Sequence, residues 1–163
     1  MKRFTSFLKQ LDKLADKYIL VLIIALAGLV LRVPSFFEPI WYGDEAIYLT
    51  IGHSLNAGKV LYKDIVDHKT PLIYYLARVD SQLYFRLLTA IAMVGITIAF
   101  FALAKYILDN KKSYKPAYVA TVIFMLLTTL PWLEGPMANG ELWVMVFSIP
   151  ALLLLTQVES INT

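Results

Sequence analysis

Residues 85–108, FRLLTAIAMVGITIAFFALAKYIL, run apolar from end to end except for Arg86 and Lys105 near the two termini. A helix needs about 20 residues to cross a hydrocarbon core of about 30 Å, and this run meets that length. Three further apolar runs, Tyr18–Val33, Ala117–Leu130 and Leu142–Val158, accompany it. The last is long enough by itself. The first reaches the length if Leu14 to Lys17 continue the same helix, and the third if it extends through Pro131-Trp132-Leu133. None alternates with period two, so all four read as helices and not as barrel strands. A hydrophobic share of 59% and a mean hydropathy of +0.65 lie far above a soluble domain. The expected fold is an all-α, polytopic membrane protein with four transmembrane helices at about 18–33, 83–108, 117–133 and 141–158.

Charge orients these spans. Lys2, Arg3, Lys9, Lys13 and Lys17 precede the first, and Lys105, Lys111, Lys112 and Lys115 flank the connection after the second, against Asp109 alone. The 131–141 connection carries Glu134 and Glu141 but no Lys or Arg, and the 34–80 loop is richer in acid than in base. By the positive-inside rule the chain is a multi-pass cell-membrane protein with a cytoplasmic N-terminus and an extracytoplasmic 34–80 loop. The net charge of +3 serves orientation, and no nucleic-acid partner is expected. The absence of Cys excludes disulfides and thiol chemistry. Ala25-Leu26-Ala27 matches a signal-cleavage pattern, but the apolar run continues to Val33 after a long charged segment, so the first span reads as an anchor.

Residues 1–17 place Phe4, Phe7, Leu8, Leu11 and Leu14 opposite Lys9, Lys13, Asp16 and Lys17. That pattern predicts an amphipathic helix in the cytoplasmic interface. Residues 18–158 form the membrane domain and 159–163 a short tail. Pro34 is expected to stop the first helix, and Phe36, Phe37, Trp41 and Tyr42 suit the headgroup layer. A short helix should run from Asp44, as N-cap, to Ala57, ended by Gly58, with Ile47, Ile51 and Leu55 on its apolar face. A second should start at Thr70-Pro71. Whether it continues through Asp80-Ser81 into the next span is left open by the residues.

Several side chains can carry chemistry. Asp44 and Glu45 open a helix, where a carboxylate stays ionised and can take a proton from a hydroxyl; an Asp at such a position is equally a simple cap. Lys69, preceded by His68 and followed by a helix start, makes an anion site in which phosphate fits, or else two solvated loop side chains. Glu141, after Asn139-Gly140, falls on the same side as Asp44 and is otherwise a first-turn acid. Arg86 either snorkels or turns inward to meet a carboxylate or phosphate. A divalent cation would suit Asp44, Glu45, His68 and Glu141, but no ligand spacing marks a metal site and no cofactor is assigned.

The order Gly43-Asp44-Glu45-Ala46-Ile47-Tyr48, Gly58-Lys59-Val60-Leu61-Tyr62-Lys63-Asp64 and Lys69-Thr70-Pro71-Leu72-Ile73-Tyr74-Tyr75-Leu76 resembles the membrane glycosyltransferases of the GT-C fold. It is similar in particular to the protein mannosyltransferase and aminoarabinose transferase-like group (glycosyltransferase families 39 and 83). The resemblance covers about 18–158. It implies a first outer loop with short membrane-parallel helices, Asp44 as catalytic base with Glu45 beside it, and Lys69 engaging the phosphate of a polyprenyl-phosphate sugar donor. His68 and Arg86 would assist at that phosphate, and Asn139 and Glu141 match polar residues of the second outer loop. Thr70 departs from a proline common there. The implied reaction transfers a sugar to an acceptor hydroxyl of a protein, lipid or glycan, and needs no Gly-rich nucleotide loop; none is present. Such enzymes carry more spans, so the sequence would be their N-terminal portion. The alternative is a non-catalytic membrane subunit that binds a polyprenyl lipid or a partner membrane protein. A transporter is disfavoured, since no span carries an acid or Lys away from its ends.

Overall fold

The computed structural model describes residues 18–79, 81–108 and 113–161, with side chains through Thr156. The expected interfacial helix over 1–17, Asp80, and Asp109, Lys111 and Lys112 lie outside the described residues. Among those described, the chain is helical without strands; Leu61 and Ile65 make one isolated bridge. Helix α1 covers 18–32 and winds on into a 3-10 turn, Val33–Phe37. Then come α2 (Gly43–Asn56), α3 (Pro71–Leu76), α4 (Gln82–Ile107), α5 (Lys115–Leu127), a 3-10 turn Pro131–Leu133, and α6 (Gly140–Ile161). Two segments are long and apolar enough to cross a membrane, Tyr18–Phe37 at mean hydropathy 2.5 and Gln82–Ile107 at 2.4.

Helix α4 is the hub. Its Met93, Ile96 and Leu103 meet Leu142 and Ile149 of α6, while Phe101 and Ala104 meet Val21 of α1 and Ala117 of α5. Two stacked ring pairs fasten α5 to it, Phe100 on Phe124 at 4.2 Å and Phe101 on Tyr118 at 4.9 Å. Buried Thr89, Thr97 and Thr121 each return their hydroxyl to the carbonyl four residues back. Their polar groups are thereby satisfied without a partner helix. Outward, α1, α5 and α6 leave Ile23, Val30, Ile123, Leu127, Phe147 and Leu154 uncovered.

Helix α5 departs from expectation. It ends at Leu127, with a rise of about 20 Å at 1.5 Å per residue, and does not extend to 133. Thr128 and Thr129 turn their hydroxyls onto the last carbonyls of the helix, and Leu130 is held extended before Pro131. The buried Arg32 of α1 closes the turn from outside by donating to the carbonyls of Thr128 and Gly135. A cation there also meets the negative end of the α5 dipole.

At the end of the bundle where α4 and α6 begin, α2 and α3 form a lid of packed side chains. Tyr48, Leu49, Ile51 and Leu55 of α2 meet Ile73, Tyr74 and Ala77, with Phe85 and Trp143 beneath. Ile47 is exposed, so the buried face of α2 is centred on Tyr48 and Gly52 and not on the Ile47 line. Helix α2 stops at Gly58, whose φ of +84° is the left-handed turn that glycine supplies at no cost. Helix α3 ends at Leu76 and does not join α4, which starts afresh with Ser81 accepting from the Tyr84 amide. Asn56 and Arg78 bond reciprocally across the gap. Gly52 lets the two short helices touch: a Cβ there would lie 2.2 Å from the Ala77 carbonyl oxygen. Gly52→Ala should therefore lower stability by about 1–3 kcal/mol, as overpacking does. Thermal unfolding in detergent measures it, and an unchanged midpoint would refute the contact.

Candidate functional site

The first turn of α2 carries two acids with opposite fates. Glu45 points inward and receives Arg86 of α4 in a two-pronged ion pair, Nε to Oε1 at 2.8 Å and Nη2 to Oε2 at 2.6 Å. Arg86 Nη1 donates to the carbonyls of Ser35 and Glu38. Both charged side chains are fully buried, which is tolerable only because each is paired and hydrogen-bonded. Of the alternatives for Arg86, the inward turn onto a carboxylate holds, and that carboxylate is Glu45; with both side chains buried and paired, neither the catalytic place expected of Glu45 nor the phosphate contact expected of Arg86 is seen.

Asp44 points the other way and is one-third exposed, at 34%. It is not the cap expected of it. The helix begins one residue earlier, with Tyr42 at the cap position and no side-chain cap bond. Its Oδ2 instead accepts the Tyr48 hydroxyl at 3.0 Å and pairs with Lys69 Nζ at 3.3 Å. No described residue donates to Oδ1. Lys69 also reaches Glu141 Oε1 at 3.7 Å. The hydrogen bond to Asp44, followed by the charges of Glu141 and Asp44, holds the Lys69 ammonium above its ordinary value. Burial first, then the bond to Asp44, pushes the Tyr48 phenol up.

Lys69 is presented by a braced loop. Tyr62, at a φ of +64°, donates its hydroxyl to the Lys69 carbonyl at 2.7 Å. Lys69 donates its amide to the Tyr74 hydroxyl, and Tyr74 donates to Asp67 Oδ2 at 2.8 Å. Asp67 Oδ1 accepts the His68 amide and lies 2.9 Å from His68 Nδ1. Burial pushes Asp67 up, but the bonds from His68 and Tyr74 outweigh it and hold the carboxyl below its usual range.

Across from this loop stands the start of α6. Asn139 is buried and serves as its cap, Oδ1 accepting from the Leu142 amide while Nδ2 donates to the Glu134 carbonyl. Its place is structural, whereas Glu141, 69% exposed, faces the loop. Glu134 adopts a left-handed φ of +55°, and its side chain bonds Tyr42, whose phenol burial and Glu134 push up. Such backbone outliers in non-glycine residues persist only where the surroundings hold them. Glu45 is committed to Arg86, so the oxygen set considered for a cation is not assembled, and no metal-holding group of three occurs among the described residues.

Between His68, Lys69, Leu72 and Ile73 on one side and Glu141, Trp143, Val144 and Phe147 on the other runs a groove of about 320 Å³. Its mouth is charged and its walls are apolar. Asp44, Lys69 and Glu141 come together and His68 lines the groove beside Lys69, while Asn139, Glu45 and Arg86 bond within the fold around them. Sequence reading missed Tyr48, Tyr62, Asp67, Tyr74 and Glu134. Tyr48 had a signal, since it sits four residues after Asp44 on the same helical face; the others act through loop turns that carry none. Compared with known proteins, the chain matches no protein family, no curated protein and no solved structure.

Removing one half of the buried pair strands the other. Arg86→Met should cost about 3–5 kcal/mol, and adding Glu45→Met should recover much of the loss in thermal unfolding; a double variant no more stable than the single one would contradict this. Asp67, lowered in the fold, contributes stability that is present above the ordinary carboxylate range and is lost as pH falls through its lowered value. Asp67→Asn should flatten the acid limb of Tm against pH. An unchanged limb would show that its bonds carry no net weight.

Proposed function

We propose that this chain belongs to a membrane glycosyltransferase of GT-C type, which moves a sugar from a polyprenyl-phosphate donor to an acceptor hydroxyl on the extracytoplasmic face. The observation that carries the reading is Asp44, whose Oδ1 receives no donor among the described residues, paired with the Lys69 that lines a largely apolar groove. In this reading α1, α4, α5 and α6 all cross the membrane. The N-terminus is then cytoplasmic, as the clustered lysines before the first span and around 105–115 favour. The shorter apolar helices Lys115–Leu127 and Gly140–Thr156 are compatible with it.

The chemistry follows from the residues. Asp44 Oδ1 takes the proton of the acceptor hydroxyl as its oxygen bonds to the anomeric carbon. The bond from that carbon to the phosphate oxygen breaks, and the polyprenyl phosphate leaves with the electron pair. Lys69 stabilises that added charge, so no protonating acid is required. The phosphate would displace a carboxylate from Lys69, which now holds two, and the first isoprene units would lie along Leu72, Ile73, Trp143, Val144 and Phe147. The double pairing of Lys69 favours one alternative, a non-catalytic subunit whose groove stores a polyprenyl lipid or seats a partner membrane protein.

Asp44→Asn separates the two, because Asn keeps the shape of the side chain and loses the base. Transfer of labelled sugar from a polyprenyl-phosphate donor, assayed in membranes bearing the protein, should fall by at least about 100-fold with little change in Tm. Undiminished transfer by that variant would remove Asp44 from the mechanism.

A further inference from the structure

Glu141 is a carboxylate that the proposed transfer leaves unused. Asp44 accepts the Tyr48 hydroxyl besides pairing with Lys69 at 3.3 Å. Glu141 has Lys69 as its ionic partner, at the longer distance of 3.7 Å, and is 69% exposed. Of the two acids on Lys69, Glu141 is therefore the more loosely held. It is also the one that lines the groove, on the wall opposite Lys69. A phosphate reaching Lys69 from the groove displaces Glu141 from the ammonium and comes to lie beside it. One lysine against two carboxylates leaves this mouth with a net negative charge. Lys69 and the apolar walls supply the affinity, and the surplus carboxylate decides which head group is tolerated. We propose that Glu141 is a specificity-determining residue that sets the charge of the head group, admitting a singly charged phosphodiester and disfavouring a doubly charged phosphomonoester. This inference rests on the donor-phosphate reading of the groove.

The distinction matters because the transfer itself adds the charge. The donor is a phosphodiester with one negative charge. When its bond to the anomeric carbon breaks, the electron pair stays on the phosphate oxygen, and the polyprenyl phosphate that remains is a monoester. With a second pKa of about 6, a monoester carries close to two negative charges at about pH 8. Beside Glu141 the added charge meets a like charge in a mouth only partly screened by water. The product is thereby held less tightly than the donor, which favours its release. A polyprenyl diphosphate, with still more charge, is disfavoured for the same reason. In Glu141→Gln the charges of Lys69 and Asp44 remain and offset each other, so a further charge on the ligand changes little.

The test uses the whole chain in phosphatidylcholine nanodiscs at about pH 8, above the ordinary range of imidazoles, with titration calorimetry as the readout. The probes are methyl farnesyl phosphate, a singly charged diester, and farnesyl phosphate, a doubly charged monoester on the same isoprene chain. The unaltered protein should bind the diester about tenfold more tightly, the weight of one like charge at a half-exposed site. Glu141→Gln should bring the two probes within about twofold of each other, because the monoester gains more than the diester. A substitution that merely reshaped the groove would move both probes together and leave their ratio alone. Glu141→Asp, which keeps the charge, should keep the preference. Glu38→Gln removes an exposed acid of the 34–80 loop that does not line the groove, and should change neither affinity. A ratio unchanged in Glu141→Gln, a ratio that collapses equally in Glu38→Gln, or tighter monoester binding by the unaltered protein overturns the inference and leaves the donor reading standing. No saturable binding of either probe overturns both.

Discussion

The buried pair between Glu45 and Arg86 is the constraint around which this end of the molecule is organised. Arg86 sits in the second turn of the hub helix, Glu45 in the first turn of α2, and the guanidinium also holds the carbonyls of Ser35 and Glu38 where the chain leaves the first apolar segment. Three stretches distant in sequence are thereby held at one point. Few alternative positions for α2 satisfy so many donors and acceptors in an apolar setting, because any slip would leave a buried charge unpaired. Glu45 facing inward obliges its neighbour Asp44 to face outward. The exposed carboxylate is thus aimed by a buried one.

The same economy recurs at the other elements of the site. Arg32 binds the carbonyls of Thr128 and Gly135, which shapes the turn carrying Glu134. Asn139 caps α6 and so sets where Glu141 projects. Tyr62 and Tyr74 grip the Lys69 carbonyl and amide. Each exposed charged group is flanked by a group whose hydrogen bonds are spent inside the protein. Preorganisation of this kind keeps a carboxylate and a lysine together at the mouth of a groove without a bound ligand to hold them.

How much of this was legible in the sequence depended on distance along the chain. Thr70-Pro71 marked the start of α3 and Gly58 the end of α2, because caps and left-handed turns act on their immediate neighbours. The apolar runs marked α1 and α4 for the same local reason. Glu45 misled, since the partner that buries it lies forty-one positions away. Helix α5 misled too: its turn at Thr128 is closed by Arg32, ninety-six positions earlier. Asp44 read as a cap until its real partners, Tyr48 and Lys69, came into view. The bracing by Tyr62 depends on a left-handed backbone that no residue type announces.

The proposed sugar transfer requires that a polyprenyl phosphate bind with its phosphate on Lys69 and its chain in the groove. A structure determined with a polyprenyl phosphodiester bound tests that most directly. The account predicts the phosphate within hydrogen-bond reach of Lys69, the isoprene units between Ile73 and Phe147, and Asp44 Oδ1 left open towards the anomeric carbon. A lipid bound elsewhere, with Lys69 still bridging Asp44 and Glu141, would contradict it.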